Sequence, residues 1–352
     1  MRVALVGVGL IGGSIGMAAR RRLGAHVVGW NRSPAALEVA LERGAIDEAV
    51  DGIDEIGTAD IAIAGVAVDA LPAMVRALCE ALPDAVVTDV GSTKGALVTA
   101  IGHPNFIGGH PLAGAETTGV AHAREHLFEG ATWYLTPRDE TAGVLYERLA
   151  RFVAGLGAVP TAIAPGDHDR LMAAVSHLPH VVANLLVAQA TDALGGETLP
   201  GTGPSFRDAT RVAGANPALW AQIYTANRAA LGAQIDDLVQ RLNEVRRLLD
   251  GGSGGALAAW QDGAAQQRRA LLQVGLAGGG AVREIRAAVP NRPGVVAQIA
   301  LALGRAGINI SDMSLAPEAD NRTGVIGLWV GAADAPRAIE LVAGLGYPAD
   351  AA

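Results

Sequence analysis

Four short stretches of this 352-residue chain carry side chains suited to chemistry. His110 stands in Gly109-His110-Pro111, just after a short apolar segment. A neutral imidazole there can take up a proton near pH 7, or it can only cap the loop. Ser92 follows Gly91 in Gly91-Ser92-Thr93-Lys94, where its hydroxyl can reach a ligand or cap the next helix. Lys94 reads as a solvated charge at that helix start. Arg211 offers a planar guanidinium that pairs bidentately with a carboxylate. Asp208, three residues earlier on the same face of a helical turn, can hold Arg211 in place; the two can equally form a structural ion pair. Arg207 points elsewhere and reads as solvated. His177 and His180 share a helix face, and with Asp167, His168 and Asp169 nearby a metal cluster is conceivable. No dedicated ligand motif is present, so no metal is expected. The other reading of each histidine is a buried, hydrogen-bonded imidazole, which suits His177 better than His180. Glu116 and Thr117 follow the His110 loop, where a carboxylate can bind a polar group through water or cap a helix. Trp220 reads first as core.

The elements that position these groups begin with a glycine fingerprint. Arg2–Gly7 is a short apolar run, read as a buried parallel strand. Gly7-Val8-Gly9-Leu10-Ile11-Gly12 follows, and Ile15–Arg22 reads as a helix. Gly7 permits the tight turn, Gly9 lets the backbone approach a pyrophosphate, and Gly12 allows close helix–strand packing. The pyrophosphate sits on the helix N-terminus, where free N–H groups and the dipole favour anions. A second strand, His26–Trp30, ends at Asn31-Arg32-Ser33. Asn31 stands where NAD enzymes carry the Asp or Glu that binds the ribose 2′-hydroxyl. Arg32 can pair with a 2′-phosphate, or stack on adenine while Asn31 binds the 2′-hydroxyl. NAD and NADP both stay open, with Arg32 tilting the reading toward NADP.

Half of the residues are hydrophobic, few are aromatic, and the net charge is −8. No basic stripe marks a nucleic-acid or anionic-membrane partner. The one cysteine, Cys79, excludes an internal disulfide and suits a reducing cytoplasm. Val3–Ala19 resembles an export signal, but its glycines and the Arg20-Arg21-Arg22 run after it argue against export. No other stretch is expected to reach the ~20 apolar residues of a membrane span. Strands are expected at Ile61–Val68, Asp84–Val90, Asn105–Gly109 and Trp133–Thr136, with a helix at Leu71–Leu82. This alternation predicts a parallel, doubly wound α/β sheet over residues 1–160. Residues 161–276 read as all-helical: Asp167–Leu194 kinked at Pro179, a loop at Gly195–Pro204, Phe206–Val212, Pro217–Leu249, a break at Gly251–Gly255, and Ala256–Val274. Helices this apolar need a partner, and a homodimer is expected. After a linker at Leu276–Ala281, residues 282–352 read as a ferredoxin-like βαββαβ module. Its strands are Ile285–Val289, Ile308–Leu315 and Val325–Val330, with a helix ending at Gly307 and a turn-rich connection at Asp320–Gly324.

Taken together and in order, several segments resemble the prephenate/arogenate dehydrogenase family of tyrosine biosynthesis. They are GVGLIGGS at Gly7–Ser14, DVGSTK at Asp89–Lys94, GGHPLAG at Gly108–Gly114 with Glu116, SHLPH at Ser176–His180, and FRDATR at Phe206–Arg211 with Trp220. The likeness spans about residues 1–275. The last 70 or so residues resemble an ACT domain, with Asn291-Arg292-Pro293-Gly294 and Gly307-Ile308-Asn309-Ile310 as its signature. The resemblance implies oxidation and decarboxylation of prephenate to 4-hydroxyphenylpyruvate, with reduction of a nicotinamide cofactor and no metal. It implies that His110 takes the ring hydroxyl's proton, that Ser92 contacts His110, the substrate or the nicotinamide, and that Arg211 grips a carboxylate. His180, and less so His177, would reach the pyruvyl end, with Trp220 lining the substrate region. Glu116 would meet a substrate-side group. Asn291, Gly294 and Asn309 would present polar groups to an amino-acid effector, tyrosine being expected; the alternative is a module that only dimerises. Arogenate dehydrogenase is the nearest rival, followed by another β-hydroxyacid dehydrogenase and by a non-catalytic redox and amino-acid sensor. No chorismate mutase segment is evident.

Overall fold

The computed structural model describes residues 1–114, 117–193, 201–275, 282–318 and 322–351. Glu116, the 276–281 linker, most of the 195–204 loop and part of the 320–324 connection lie outside the described residues. The chain packs as two compact units, Met1–Leu186 with Val212–Leu238, and Val187–Arg211 with Val239–Ala352.

In the first unit, strands β1 (Arg2–Val6), β2 (His26–Trp30), β3 (Glu48–Ala49), β4 (Ile61–Ala64) and β5 (Val86–Asp89) form a parallel sheet in the order β3-β2-β1-β4-β5. Helices α1 (Leu10–Leu23), α2 (Pro34–Glu42), α3 (Leu71–Ala81) and α4 (Gly95–Ile101) connect them. Both sheet faces are covered. Val3, Leu5, Ile61 and Ile63 enter one apolar core, while Ala4, Val6, Ala62 and Ala64 enter another. Alternate side chains thus all meet apolar neighbours, which is why these strands read as unbroken hydrophobic runs. β4 ends earlier than the expected Val68. Gly65 turns over the fingerprint there, its N–H donating to the Val6 carbonyl at 2.6 Å.

The expected wholly parallel sheet is corrected. β6 (Gly108–Pro111), β7 (Thr132–Thr136) and β8 (Val159–Ala162) form a separate three-stranded sheet in which β6 and β7 are antiparallel. A parallel bridge from Val87 to Phe106 aligns β6 beside β5. His110 and the Gly91-Ser92 turn therefore emerge at the carboxyl ends of neighbouring strands, where ligands of such folds bind. Helix α5 (Gly143–Gly155) packs on this region.

α1 also begins earlier than expected. It opens at Leu10 with Gly9 as its N-cap, so Gly12 lies in the helix's first turn. Further on, α6 (Pro165–Met172), a π-helical turn (Ala173–His177) and α7 (Leu178–Ala193) run as one helix. Pro179 lacks an N–H for the carbonyl one turn back, and the wider π turn lies just before it. This 29-residue segment has a mean hydropathy of 1.6 in its most apolar window and is long and apolar enough to cross a bilayer. That corrects the expectation of no such stretch outside the N-terminus. The same helix buries His168, Asp169 and His177 and exposes Val175 and Leu185.

Helix α8 (Pro204–Thr210) passes into a 3₁₀ turn, Arg211–Gly214. The single helix expected over 217–249 is two, α9 (Pro217–Ala226) and α10 (Arg228–Asp250), broken at Asn227. α11 (Gly254–Gly275) follows. The C-terminal part is β9 (Val282–Pro290), α12 (Val295–Arg305), β10 (Ile310–Pro317), β11 (Thr323–Gly331), α13 (Ala335–Gly344) and β12 (Ala349–Ala351). Its antiparallel sheet has the order β10-β11-β9-β12, the ferredoxin-like arrangement. Ile285, Ile299, Leu303, Leu328 and Val342 fill its core.

Candidate active site

Asp169 is the organising group of the first unit. Its Oδ1 accepts the Lys94 backbone N–H at 2.7 Å and its Oδ2 accepts that of Gly95 at 2.8 Å, so a distant carboxylate caps α4. Ser92 does not cap this helix, whose N-cap is Lys94. Burial pushes the Asp169 pKa up, but the hydrogen bonds from His168 and from the Lys94 and Gly95 amides outweigh it and hold the carboxyl below its usual range. Asp169 is thus an ionised acceptor.

This fixes a chain of tautomers. Asp169 Oδ1 lies 2.9 Å from His168 Nδ1, and His168 Nε2 lies 2.9 Å from His110 Nδ1. A carboxylate only accepts, so His168 Nδ1 carries a proton, and in the neutral ring His168 Nε2 keeps a lone pair. His110 Nδ1 must then donate, and His110 Nε2 is left with the lone pair of a base. Burial first, with the Lys94 ammonium acting in the same sense, holds the His110 pKa well below the ordinary histidine value. Tyr134 packs edge-on to His168 at 5.7 Å between ring centroids.

Lys94 is fully buried, which corrects its reading as a solvated charge. Its ammonium pairs with Asp89, itself fully buried. Asp89 also accepts the Gly91 N–H at 2.8 Å and the Gly109 N–H at 3.0 Å, tying the Ser92 turn to the His110 strand. The glycines are required by this crowding. A Cβ on Gly109 would stand 2.5 Å from the Asp89 carbonyl oxygen, and one on Gly95 would stand 2.8 Å from Asp169 Oδ2.

A second cluster joins at Asn227. Its Nδ2 donates to the Asp169 carbonyl at 2.8 Å and lies 3.1 Å from His177 Nδ1. His177 therefore accepts at Nδ1 and carries its proton on Nε2. Burial lowers its pKa to about 4; the Asp169 charge opposes this, and those of His168 and His180 add to it. Trp220, half-buried, stacks on His180 at 3.5 Å and 24° and meets His177 edge-on at 6.1 Å. It is part of the histidine cluster rather than plain core.

The dinucleotide fingerprint has the expected geometry. Gly7 has φ +91°, and a Cβ there would meet the Gly65 carbonyl oxygen at 2.4 Å. A Cβ on Gly12 would meet the Gly7 carbonyl oxygen at 2.2 Å, whereas one on Gly9 would meet nothing within 4 Å. The backbone at Gly9 is open to a ligand at the α1 N-terminus. Gly7, Gly9, Asn31, Arg32, Asp69 and Gln222 help to line a cavity of about 510 Å³ there. Leu10 and Ile11 pack inward or against the core. Ser33 caps α2, its hydroxyl accepting the Ala36 N–H at 3.4 Å.

Asp208 and Arg211 are exposed and belong to the second unit. In the C-terminal part the Asn291 N–H donates to the Arg322 carbonyl at 2.7 Å, Gly294 has φ +93° before α12, and Asn309 is exposed before β10.

Residues 15–161 match the family described as "Prephenate dehydrogenase, nucleotide-binding domain", and residues 164–261 match "Prephenate dehydrogenase, dimerization domain". A prephenate dehydrogenase of Bacillus subtilis is 30% identical over 338 residues, covering 92% of this chain and 90% of the relative. The crystal structure of prephenate dehydrogenase from A. aeolicus in complex with hydroxyphenyl propionate and NAD+ superposes with a TM-score of 0.71 and 29% identity, over 77% of this chain and 98% of the other. Synechocystis arogenate dehydrogenase gives 0.69 and 31%, over 76% and 99%.

The depressed His177 pKa predicts an acid weakening of the fold. Above about pH 6.5 the ring is neutral in both folded and unfolded chains and costs nothing. As the pH falls from there toward about 4, the unfolded ring takes a proton that the folded ring refuses, so stability declines. His110 acts in the same sense. Urea unfolding at pH 7.5 and pH 5 should show a loss on the order of 1–2 kcal/mol from His177. His177→Gln should flatten that slope; an unchanged slope would place the ionisation elsewhere.

Proposed function

The chain belongs to the prephenate dehydrogenase family, and from that premise we propose that it oxidises and decarboxylates prephenate to 4-hydroxyphenylpyruvate and carbon dioxide in tyrosine biosynthesis. The observation that carries this reading is the Asp169–His168–His110 chain, which leaves a basic Nε2 on a strand end beside the dinucleotide fold. The nicotinamide supplies the hydride acceptor. His110 Nε2 takes the ring hydroxyl's proton as that C–O bond becomes a carbonyl, and the proton returns to the same oxygen when loss of the ring carboxylate makes the ring a phenol. His168 and Asp169 hold His110 in the accepting tautomer. The low His110 pKa keeps the ring unprotonated and ready at neutral pH. Ser92 contacts the reacting groups from the neighbouring strand end.

Prephenate carries two carboxylates, and Arg211, steadied by Asp208, grips one of them. His180 stacked on Trp220, backed by His177, lines the substrate's pyruvyl end, with Glu116 on the substrate side. Gly7, Gly9, Leu10, Ile11 and Gly12 seat the pyrophosphate, and Asn31, Arg32 and Ser33 meet the adenosine ribose. The exposed Arg32 guanidinium favours NADP, while NAD stays open. The division of labour runs along the chain: residues 1–160 for the dinucleotide, 161–276 for substrate and dimerisation, and 282–352 as an ACT-like regulatory module. A homodimer accords with the dimerization-domain match and with the exposed Val175 and Leu185. Asn291, Gly294 and Asn309 present polar groups to an effector, tyrosine in this reading. The lone cysteine accords with a cytoplasmic setting.

A nicotinamide-reduction assay crossing prephenate and arogenate with NAD and NADP tests the function. Rapid reduction with prephenate is expected, and activity with arogenate alone would transfer the assignment to that substrate. His110→Asn should lower kcat by about 10²–10⁴-fold with cofactor affinity nearly unchanged; an unchanged kcat removes His110 from the chemistry. Arg211→Ala should raise KM for prephenate by about tenfold or more, the loss of one charge-assisted pair. An unchanged KM would refute the carboxylate role.

A further inference from the structure

Gln222 lies on α9, in the helical segment, yet it lines the same cavity as Gly7, Gly9, Asn31 and Arg32. Its Oε1 is buried and has no hydrogen-bond partner among the described residues. A buried carbonyl oxygen without a donor is destabilising, so such groups are rare unless a ligand completes them. The cavity opens at a helix N-terminus suited to a pyrophosphate, and a dinucleotide bound there carries hydroxyl and amide donors on either side of that anion. Gln222 carries no charge, so it can approach the ligand without repelling its phosphates.

We propose that Gln222 is a cofactor-binding residue, its side-chain carbonyl accepting a hydrogen bond from a ribose hydroxyl or amide N–H of the bound nicotinamide dinucleotide. This rests on the dehydrogenase reading above and adds to it a contact from outside the glycine fingerprint. Trp220, two residues earlier on α9, stacks on His180. One short helix thus touches both the cofactor cavity and the histidine cluster, and a bound cofactor steadies the helix that carries the aromatic wall.

The test is direct binding. NADH and NADPH are titrated into the full-length protein by nicotinamide fluorescence, and thermal unfolding is followed with and without cofactor. Q222L keeps the side chain's bulk and removes the orphan oxygen. It should raise the Kd of the preferred cofactor about fivefold to tenfold, the worth of one net hydrogen bond. The Tm of the cofactor-free protein should be equal or higher, because an unpaired buried carbonyl is gone. A Kd within twofold of wild type overturns the inference. A raised Kd with a lower cofactor-free Tm also overturns it, in favour of a purely structural role. If Q222L does not fold, Q222A is read by the same criteria. Wild-type protein that binds neither dinucleotide would overturn the dehydrogenase reading as well, so the two failures are distinguishable.

Discussion

The Asp169 carboxylate is the constraint on which the rest of the site depends. It accepts two backbone N–H groups from the start of α4 and one imidazole N–H from its own neighbour, His168. Each donor favours the ionised form, and together they overcome the burial that would otherwise neutralise it. With that charge fixed and His168 neutral, the proton placements downstream follow. His168 must donate to Asp169, His110 must donate to His168, and the outward nitrogen of His110 is obliged to be a base. A protonated Asp169 would lose this directionality. The same carboxylate ties the helical segment to the glycine-rich turn, so local geometry and proton placement are set by one group.

A second buried charge pair braces the opposite side. Lys94 and Asp89 are wholly removed from water. Such pairs seldom add much net stability, because desolvation offsets attraction. The value here is positional. Asp89 spends its remaining acceptor capacity on the Gly91 and Gly109 amides, fixing the spacing between the Ser92 turn and the His110 strand. The Lys94 charge also acts on His110, adding to the burial that keeps its ring neutral. Small residues are the condition for this arrangement, since a Cβ on Gly91 or Gly109 would crowd Asp89 and one on Gly95 would crowd Asp169.

Much of this was legible in the sequence where the signal is local. The fingerprint strand, its glycines and the ferredoxin-like order of the last 70 or so residues follow from period, turn chemistry and short-range spacing. His110 and Ser92 stand out because each follows a glycine at a strand end. What sequence reasoning missed is non-local. Lys94 looked like a surface charge because its partner is chosen by the packing of β5, not by spacing along a helix. His168 was visible only as one member of a conceivable metal cluster, although the adjacent His168-Asp169 pair is a signal for a carboxylate-oriented imidazole. Asn227 sits inside a helical hydrophobic pattern, so periodicity alone carries no sign of the break it makes. Arg211 and Asp208, by contrast, stand out for the guanidinium's carboxylate geometry, their three-residue spacing and the FRDATR segment.

The irregularities of the backbone collect around the same groups. The π turn Ala173–His177 ends on one of the histidines, directly before Leu178-Pro179, and the interruption between α9 and α10 falls on Asn227. A regular helix through Asn227 would have satisfied local propensity better, since asparagine is a poor residue for a helix interior. The buried amide instead spends its donors on the Asp169 carbonyl and on His177. Departures from regular structure persist only when surrounding contacts outweigh their cost. Here the compensating contacts are the hydrogen bonds that settle which nitrogen of His177 carries a proton. Both breaks therefore meet at the Asn227–His177 pair, which joins Asp169 through its backbone carbonyl.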